Sequence, residues 1–115
     1  MGHLSTHVLD TSRGAPATGV FIEVRAAGGG DPIATATTNA QGRTEAPLLP
    51  DRLLQRGEYE LTFHVGDYFR RSGVVLTDPP FLDRVVIRIG IADASATYHV
   101  PLLISPYGYS TYRGT

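Results

Sequence analysis

From Arg84 to Ile91 the chain reads R-V-V-I-R-I-G-I, and Val85, Ile87, Ile89 and Ile91 fall at every second position. A period of two puts these side chains on one face of an extended strand, whereas a helix would scatter them around its circumference. The same alternation recurs at Glu58–Val65, with Tyr59, Leu61, Phe63 and Val65 on one face and Glu58, Glu60, Thr62 and His64 on the other. Gly19–Ala26 repeats it, with Val20, Ile22 and Val24 against Glu23 and Arg25. Leu4–Leu9, Ile33–Thr38, Tyr98–Ser105 and Tyr107–Arg113 are the other expected strands, and a short one follows Arg43. Tyr98–Ser105 carries its larger apolar set at Tyr98, Val100, Leu102 and Ile104.

Turn chemistry separates these segments. Asp10 to Pro16 carries Gly14 and Pro16, Gly28-Gly29-Gly30-Asp31-Pro32 is a flexible loop, and Asn39-Ala40-Gln41-Gly42 is a tight turn. Pro47 to Gly57 reads as a loop with one helical turn, and Asp78-Pro79-Pro80 interrupts the chain again. Helical periodicity is confined to Gly66–Ser72, which Gly73 would close. Short alternating strands spaced by such signals predict an all-β fold: an antiparallel β-sandwich of seven to eight strands with one short helix, in a single domain over residues 1–115.

Composition narrows the function classes. A net charge of −1 argues against nucleic acid and against a polybasic membrane surface. No apolar run reaches the ~20 residues that a spanning helix needs. No secretory signal is visible, and the absence of cysteine fits a reducing compartment, so a cytoplasmic location is expected. Met1-Gly2-His3-Leu4-Ser5-Thr6 matches the loose myristoylation pattern, but Leu4 already begins a strand. There is no nucleophile elbow, P-loop or dinucleotide fingerprint.

The remaining chemistry lies in a few side chains. His7 shares its strand face with Ser5 and Leu9, opposite the apolar set of the first strand. His99 shares its face with Thr97, Pro101 and Leu103. Parity therefore turns both histidines to the outer surface of the sandwich. Two readings are open: solvated surface histidines, or histidines in a subunit interface, which the apolar neighbours Leu9, Pro101 and Leu103 favour. Arg43 follows a turn and is either solvated or a fixed cation facing a planar polar ligand. His3, expected at a mobile terminus, and His64, on a polar strand face, carry no clear signal. Catalytic zinc normally takes three protein ligands, and an arginine beside the histidines would repel a cation, so no metal site is expected.

Leu4 to Val20, L-S-T-H-V-L-D-T-S-R-G-A-P-A-T-G-V, resembles the opening of the transthyretin-like 5-hydroxyisourate hydrolases. Tyr98-His99-Val100-Pro101-Leu102-Leu103, with the terminal Tyr112-Arg113-Gly114, is similar to that family's second signature, and Gly42-Arg43-Thr44 to its middle motif. The Tyr-Arg-Gly ending separates the enzymes from vertebrate transthyretin, the hormone carrier of the same fold. The family tail usually closes on serine, where this chain has Thr115, which keeps the hydroxyl and adds a methyl group.

The resemblance implies a homotetramer with active sites in a channel between dimers. It implies hydrolysis of 5-hydroxyisourate, the product of urate oxidation, to 2-oxo-4-hydroxy-4-carboxy-5-ureidoimidazoline without a cofactor. Carried over residue by residue, it assigns His7 and His99 to water activation and proton shuttling. Arg43 would bind the substrate's carbonyl edge and stabilise negative charge. Tyr112, Arg113, Gly114 and Thr115 would orient the ring and close the pocket. The alternatives are a transthyretin-like module that binds a small ligand without turnover, and a structural sandwich with no site; neither needs both histidines and the Tyr-Arg-Gly tail together.

Overall fold

The structure, a computed structural model, describes residues 2–115; Met1, the first residue of the myristoylation-like pattern and of the expected 1–115 domain, lies outside them. Among the described residues, eight strands form two four-stranded sheets. In chain order they are β1 (Leu4–Asp10), β2 (Ala15–Pro16), β3 (Phe21–Ala26), β4 (Ala34–Thr37), β5 (Gly57–His64), β6 (Arg84–Ile91), β7 (Tyr98–Ser105) and β8 (Gly108–Thr111). One sheet runs β2-β1-β7-β8 and the other β4-β3-β5-β6. A 3-10 turn at Asp51–Leu53 supplies the helical turn expected in its loop, and helix α1 spans Val65–Arg71.

The alternating apolar sets fill the space between the sheets. Val20, Ile22, Val24, Leu61, Phe63, Leu102 and Ile104 are fully buried, with Val85, Ile91 and Val100 nearly so. Each such side chain contributes about 1.5–3 kcal/mol through the apolar surface it removes from water. Helix α1 adds Val65, Tyr68 and Phe69 to the same core. The Gly73 and Val74 N–H groups close it by donating to the Arg70 and Phe69 carbonyls.

Four local expectations are corrected. First, β1 pairs with β7 in parallel, Leu4 opposite Tyr98 through Asp10 opposite Ile104, so the sandwich is not wholly antiparallel. The segments that alternate well say nothing of strand direction, and β1 and β7 are joined through the whole of the other sheet. Second, β1 runs one residue beyond Leu9: Asp10 ends it almost completely buried, while its carbonyl, accepting the Arg13 N–H at 3.3 Å, still opens the expected turn. Its carboxylate accepts from the Tyr68 hydroxyl at 2.8 Å and from Ser12 N–H and Oγ at 3.0 and 2.6 Å, which makes burial of the charge tolerable. Third, no strand follows Arg43; Leu49 alone bridges to Leu4. Fourth, β8 stops at Thr111, and the tail makes one further bridge, Gly114 to His99. The N-terminal stretch is also tied down, because the His3 carbonyl accepts the Tyr98 N–H at 2.8 Å.

Candidate active site

The parallel β1–β7 pairing builds the site. It sets Ser5 opposite His99 and His7 opposite Pro101, so both histidines lie on the outer face, one diagonal step apart across neighbouring strands. Parity had placed them on this kind of face. Both are half-buried, and Leu9, Leu103 and the buried Pro101 surround them with apolar surface.

His7 is held by the Asn39–Arg43 turn. Its Nε2 lies 2.9 Å from the Gln41 carbonyl oxygen. A carbonyl can only accept, so Nε2 carries the proton and the lone pair of the neutral ring is on Nδ1. The turn docks on β1 a second time, where the Gly42 carbonyl accepts the Val8 N–H at 2.8 Å. Gly42 has φ +75, and a Cβ there would stand 2.3 Å from the Val8 carbonyl oxygen and 3.3 Å from His7 Cδ2. Only glycine allows both the backbone conformation and the approach. The Asn39 side chain stabilises the same turn, its Oδ1 accepting from Gln41 N–H at 2.9 Å and Arg43 N–H at 3.2 Å.

Arg43 therefore leaves a turn that is anchored to the strand carrying His7. With Ser5, Thr6, Thr44, Glu45, Ala46 and Pro47 it lines an open concavity of about 200 Å³. Burial pushes His99 below the ordinary histidine value, and the Arg43 charge and the neighbouring His7 push it the same way. A histidine held below about 6.5 is neutral at pH 7, the state a proton acceptor needs. His99 Nδ1 meets the Ser5 hydroxyl at 2.8 Å.

The tail approaches the opposite edge of His99. Gly114 N–H donates to the His99 carbonyl at 2.8 Å. Alternation from this bridge puts Tyr112, which is exposed, on the histidine face. It turns Arg113 to the other face, where its guanidinium stacks 4.2 Å from the Tyr98 ring centroid and donates to the Thr97 carbonyl at 3.2 Å. The structure thus gathers His7, Arg43, His99 and Gly114, carries Tyr112 alongside and Thr115 exposed beyond, and does not bring the Arg113 side chain to the histidines. A larger groove of about 390 Å³ opens between β6 and the tail, lined by Ile87, Ile89, Tyr98, Val100, Tyr112 and Arg113; neither histidine nor Arg43 borders it.

His64 belongs to a different arrangement. Its Nε2 bonds Glu23 Oε1 at 2.8 Å and its ring meets Phe21 edge-on at 5.0 Å, on the outer face of the other sheet. Among the described residues, no group of three or more histidine, aspartate or glutamate side chains is gathered as a metal cage, and no helix is long and apolar enough to cross a membrane. The turn at Asn39 was legible in the sequence, but the hold of the Gln41 carbonyl on His7 and the contact of Ser5 with His99 were not. Ser5 was visible only as a neighbour of His7, because its partner across the sheet depends on the parallel register.

The model of the HIUase/Transthyretin family matches residues 4–114. The chain belongs to this family. A 5-hydroxyisourate hydrolase of Ralstonia nicotianae is 56% identical to it, with 100% of both chains covered. A solved 5-hydroxyisourate hydrolase of Klebsiella pneumoniae superposes with a TM-score of 0.84 at 39% identity, again over 100% of both chains. A solved (S)-allantoin synthase gives a TM-score of 0.92 at 39% identity; the match covers 99% of this chain and 44% of that one. The transthyretin-like sandwich expected from the motifs is the observed fold, and the family expected from them is the family found.

Proposed function

We propose that this chain hydrolyses 5-hydroxyisourate to 2-oxo-4-hydroxy-4-carboxy-5-ureidoimidazoline, without a cofactor, as a cytoplasmic homotetramer of single-domain subunits. The observation that carries the reading is the meeting of His7, His99 and Arg43 on one outer face, from three separate parts of the chain. The hydrolases named above give the reading its substrate. A neutral, oriented histidine beside a fixed cation suits hydrolysis, which needs a proton acceptor and a partner for developing negative charge.

Water adds its oxygen to a ring carbonyl carbon, and the C–N bond to the neighbouring ring nitrogen breaks. One proton leaves the water and one reaches the departing nitrogen. A neutral histidine takes the first proton and the imidazolium so formed, or its partner, returns one. Arg43 faces the carbonyl oxygen as negative charge develops there, a contribution that grows in a site shielded from water. Tyr112 offers a ring face to the planar substrate, Gly114 keeps the tail close to His99, and Thr115 brings a hydroxyl to the mouth. Arg113 contributes through its hold on the tail.

Assembly supplies the shielding. The face carrying Leu9, Leu103 and the histidines is open in one subunit, and β8 is an edge strand with Tyr109 and, beside it, Tyr107 exposed. Partner subunits covering this edge and this face turn the open concavity into a channel.

The test is to follow decay of freshly generated 5-hydroxyisourate by ultraviolet absorbance, with and without the protein. Catalysed decay is expected; a rate equal to the spontaneous one ends the enzyme reading.

A further inference from the structure

We propose that Ser5 is a positioning residue for His99: its hydroxyl oxygen accepts the Nδ1–H of the ring and so presents the Nε2 lone pair outward as the atom that takes the proton. This rests on the hydrolase reading above and deepens it, by naming the working nitrogen and the residue that selects it.

Three observations converge. Ser5 stands directly opposite His99 in the parallel β1–β7 register, and Oγ lies 2.8 Å from Nδ1. On the other edge of the same ring, a Cβ at Gly114 would come within 2.6 Å of Cδ2 and 3.4 Å of Cγ, so the tail backbone lies against that edge. β7 runs between these two neighbours, and the imidazole is bounded on both edges by them. Only the tip, Cε1 and Nε2, is left to project from the sheet.

A neutral imidazole carries one N–H. With that proton on Nδ1 and donated to Ser5, Nε2 keeps its lone pair. The Ser5 O–H is then free to donate into the concavity that Ser5 shares with Arg43 and Thr44. The opposite assignment, with Ser5 donating to Nδ1, would leave a proton on Nε2 and no acceptor at the exposed tip. His7 makes the complementary choice: the Gln41 carbonyl holds its Nε2–H and frees Nδ1. The two rings thus leave different nitrogens free, each fixed through the nitrogen it does not use.

The experiment pairs Ser5→Ala and Ser5→Thr in the full-length chain, with two readouts. One is kcat and KM for 5-hydroxyisourate; the other is ¹⁵N NMR of the His99 ring without substrate. In the unsubstituted protein, the His99 signals should show a protonated Nδ1 and an unprotonated Nε2. Ser5→Ala should mix the two tautomers and lower kcat by about tenfold, the scale of one lost hydrogen bond, with KM little changed. Ser5→Thr, which keeps the hydroxyl, should restore the tautomer signature and most of the rate. An unprotonated Nδ1 in the unsubstituted protein, or an unaltered His99 signature in Ser5→Ala, would overturn the proposal. So would a loss of 10⁴ or more in Ser5→Ala, which would mean that the hydroxyl itself reacts. The ring signature does not depend on turnover, so failure of the hydrolase reading would show separately, as absence of catalysis in the unsubstituted protein.

Discussion

Gly114 presses edge-on against His99: its N–H donates to the His99 carbonyl at 2.8 Å, and a Cβ in its place would lie 2.6 Å from Cδ2 of the ring. Gly114→Ala must therefore displace either the tail or the imidazole. The substitution lies beyond the last strand, so the melting temperature should stay close to that of the unsubstituted chain. Activity should fall by about a hundredfold, the cost of roughly an ångström of misplacement at a reacting group. Steady-state kinetics beside a thermal melt checks this, and full activity would show that the ring does not need the tail.

The lowered proton affinity of His99 sets a pH dependence. Burial is its main cause, with Arg43 and His7 adding to it. The base stays neutral below the pH at which a free histidine would protonate, so the acid limb of kcat/KM should fall below about pH 6.5. Its midpoint belongs to the interacting histidines together. Arg43→Gln removes one repelling cation and should move that limb to higher pH while lowering the rate. The linkage to stability has the same sign. Below about pH 6.5 the unfolded chain takes up a proton that folded His99 resists, so acidification destabilises the fold until His99 itself protonates. A pH–rate profile of both proteins tests the first part and urea unfolding across the same range the second.

Asp10 and Tyr68 separate stability from activity. Tyr68→Phe leaves Asp10 Oδ2 without its 2.8 Å donor in a nearly sealed position. The expected loss is about 1–3 kcal/mol, read as a lower melting temperature. Below that temperature kcat/KM should change less than about twofold, because neither residue touches the histidine cluster. A large kinetic effect at full folding would mean that the far end of β1 is coupled to the site.

Assembly is tested by light scattering at micromolar concentration, where a tetramer is expected. The motivation is the exposed β8 edge together with the half-buried Leu9 and Leu103. A stable monomer would remove the shared channel from the account.

Much of this was legible in the chain itself. Strict alternation in β5, β6 and β7 identified the core residues, because a strand buried on one face must repeat every second position. Parity alone placed His7 and His99 outward. Strand direction was not legible: nothing in Leu4–Leu9 says that its partner runs parallel, and without that register the Ser5–His99 contact is invisible. Asp10 read as turn chemistry, and it does open the turn to Arg13, but its burial was not legible because the Tyr68 hydroxyl that bonds its carboxylate lies 58 residues away. The Arg113 side chain was expected at the site with the rest of the tail. The bridge from Gly114 to His99 turns it to the opposite face, and only three-dimensional pairing could show that.

The most direct test of the central claim is the 5-hydroxyisourate decay rate of His99→Asn and His7→Asn, measured beside the unsubstituted protein at equal concentration of folded chain. The account predicts a loss of about 10²–10⁴ in kcat for His99→Asn, the usual range for a general base, and a substantial loss for His7→Asn. Unaltered rates in both would contradict it and take the two histidines out of the chemistry.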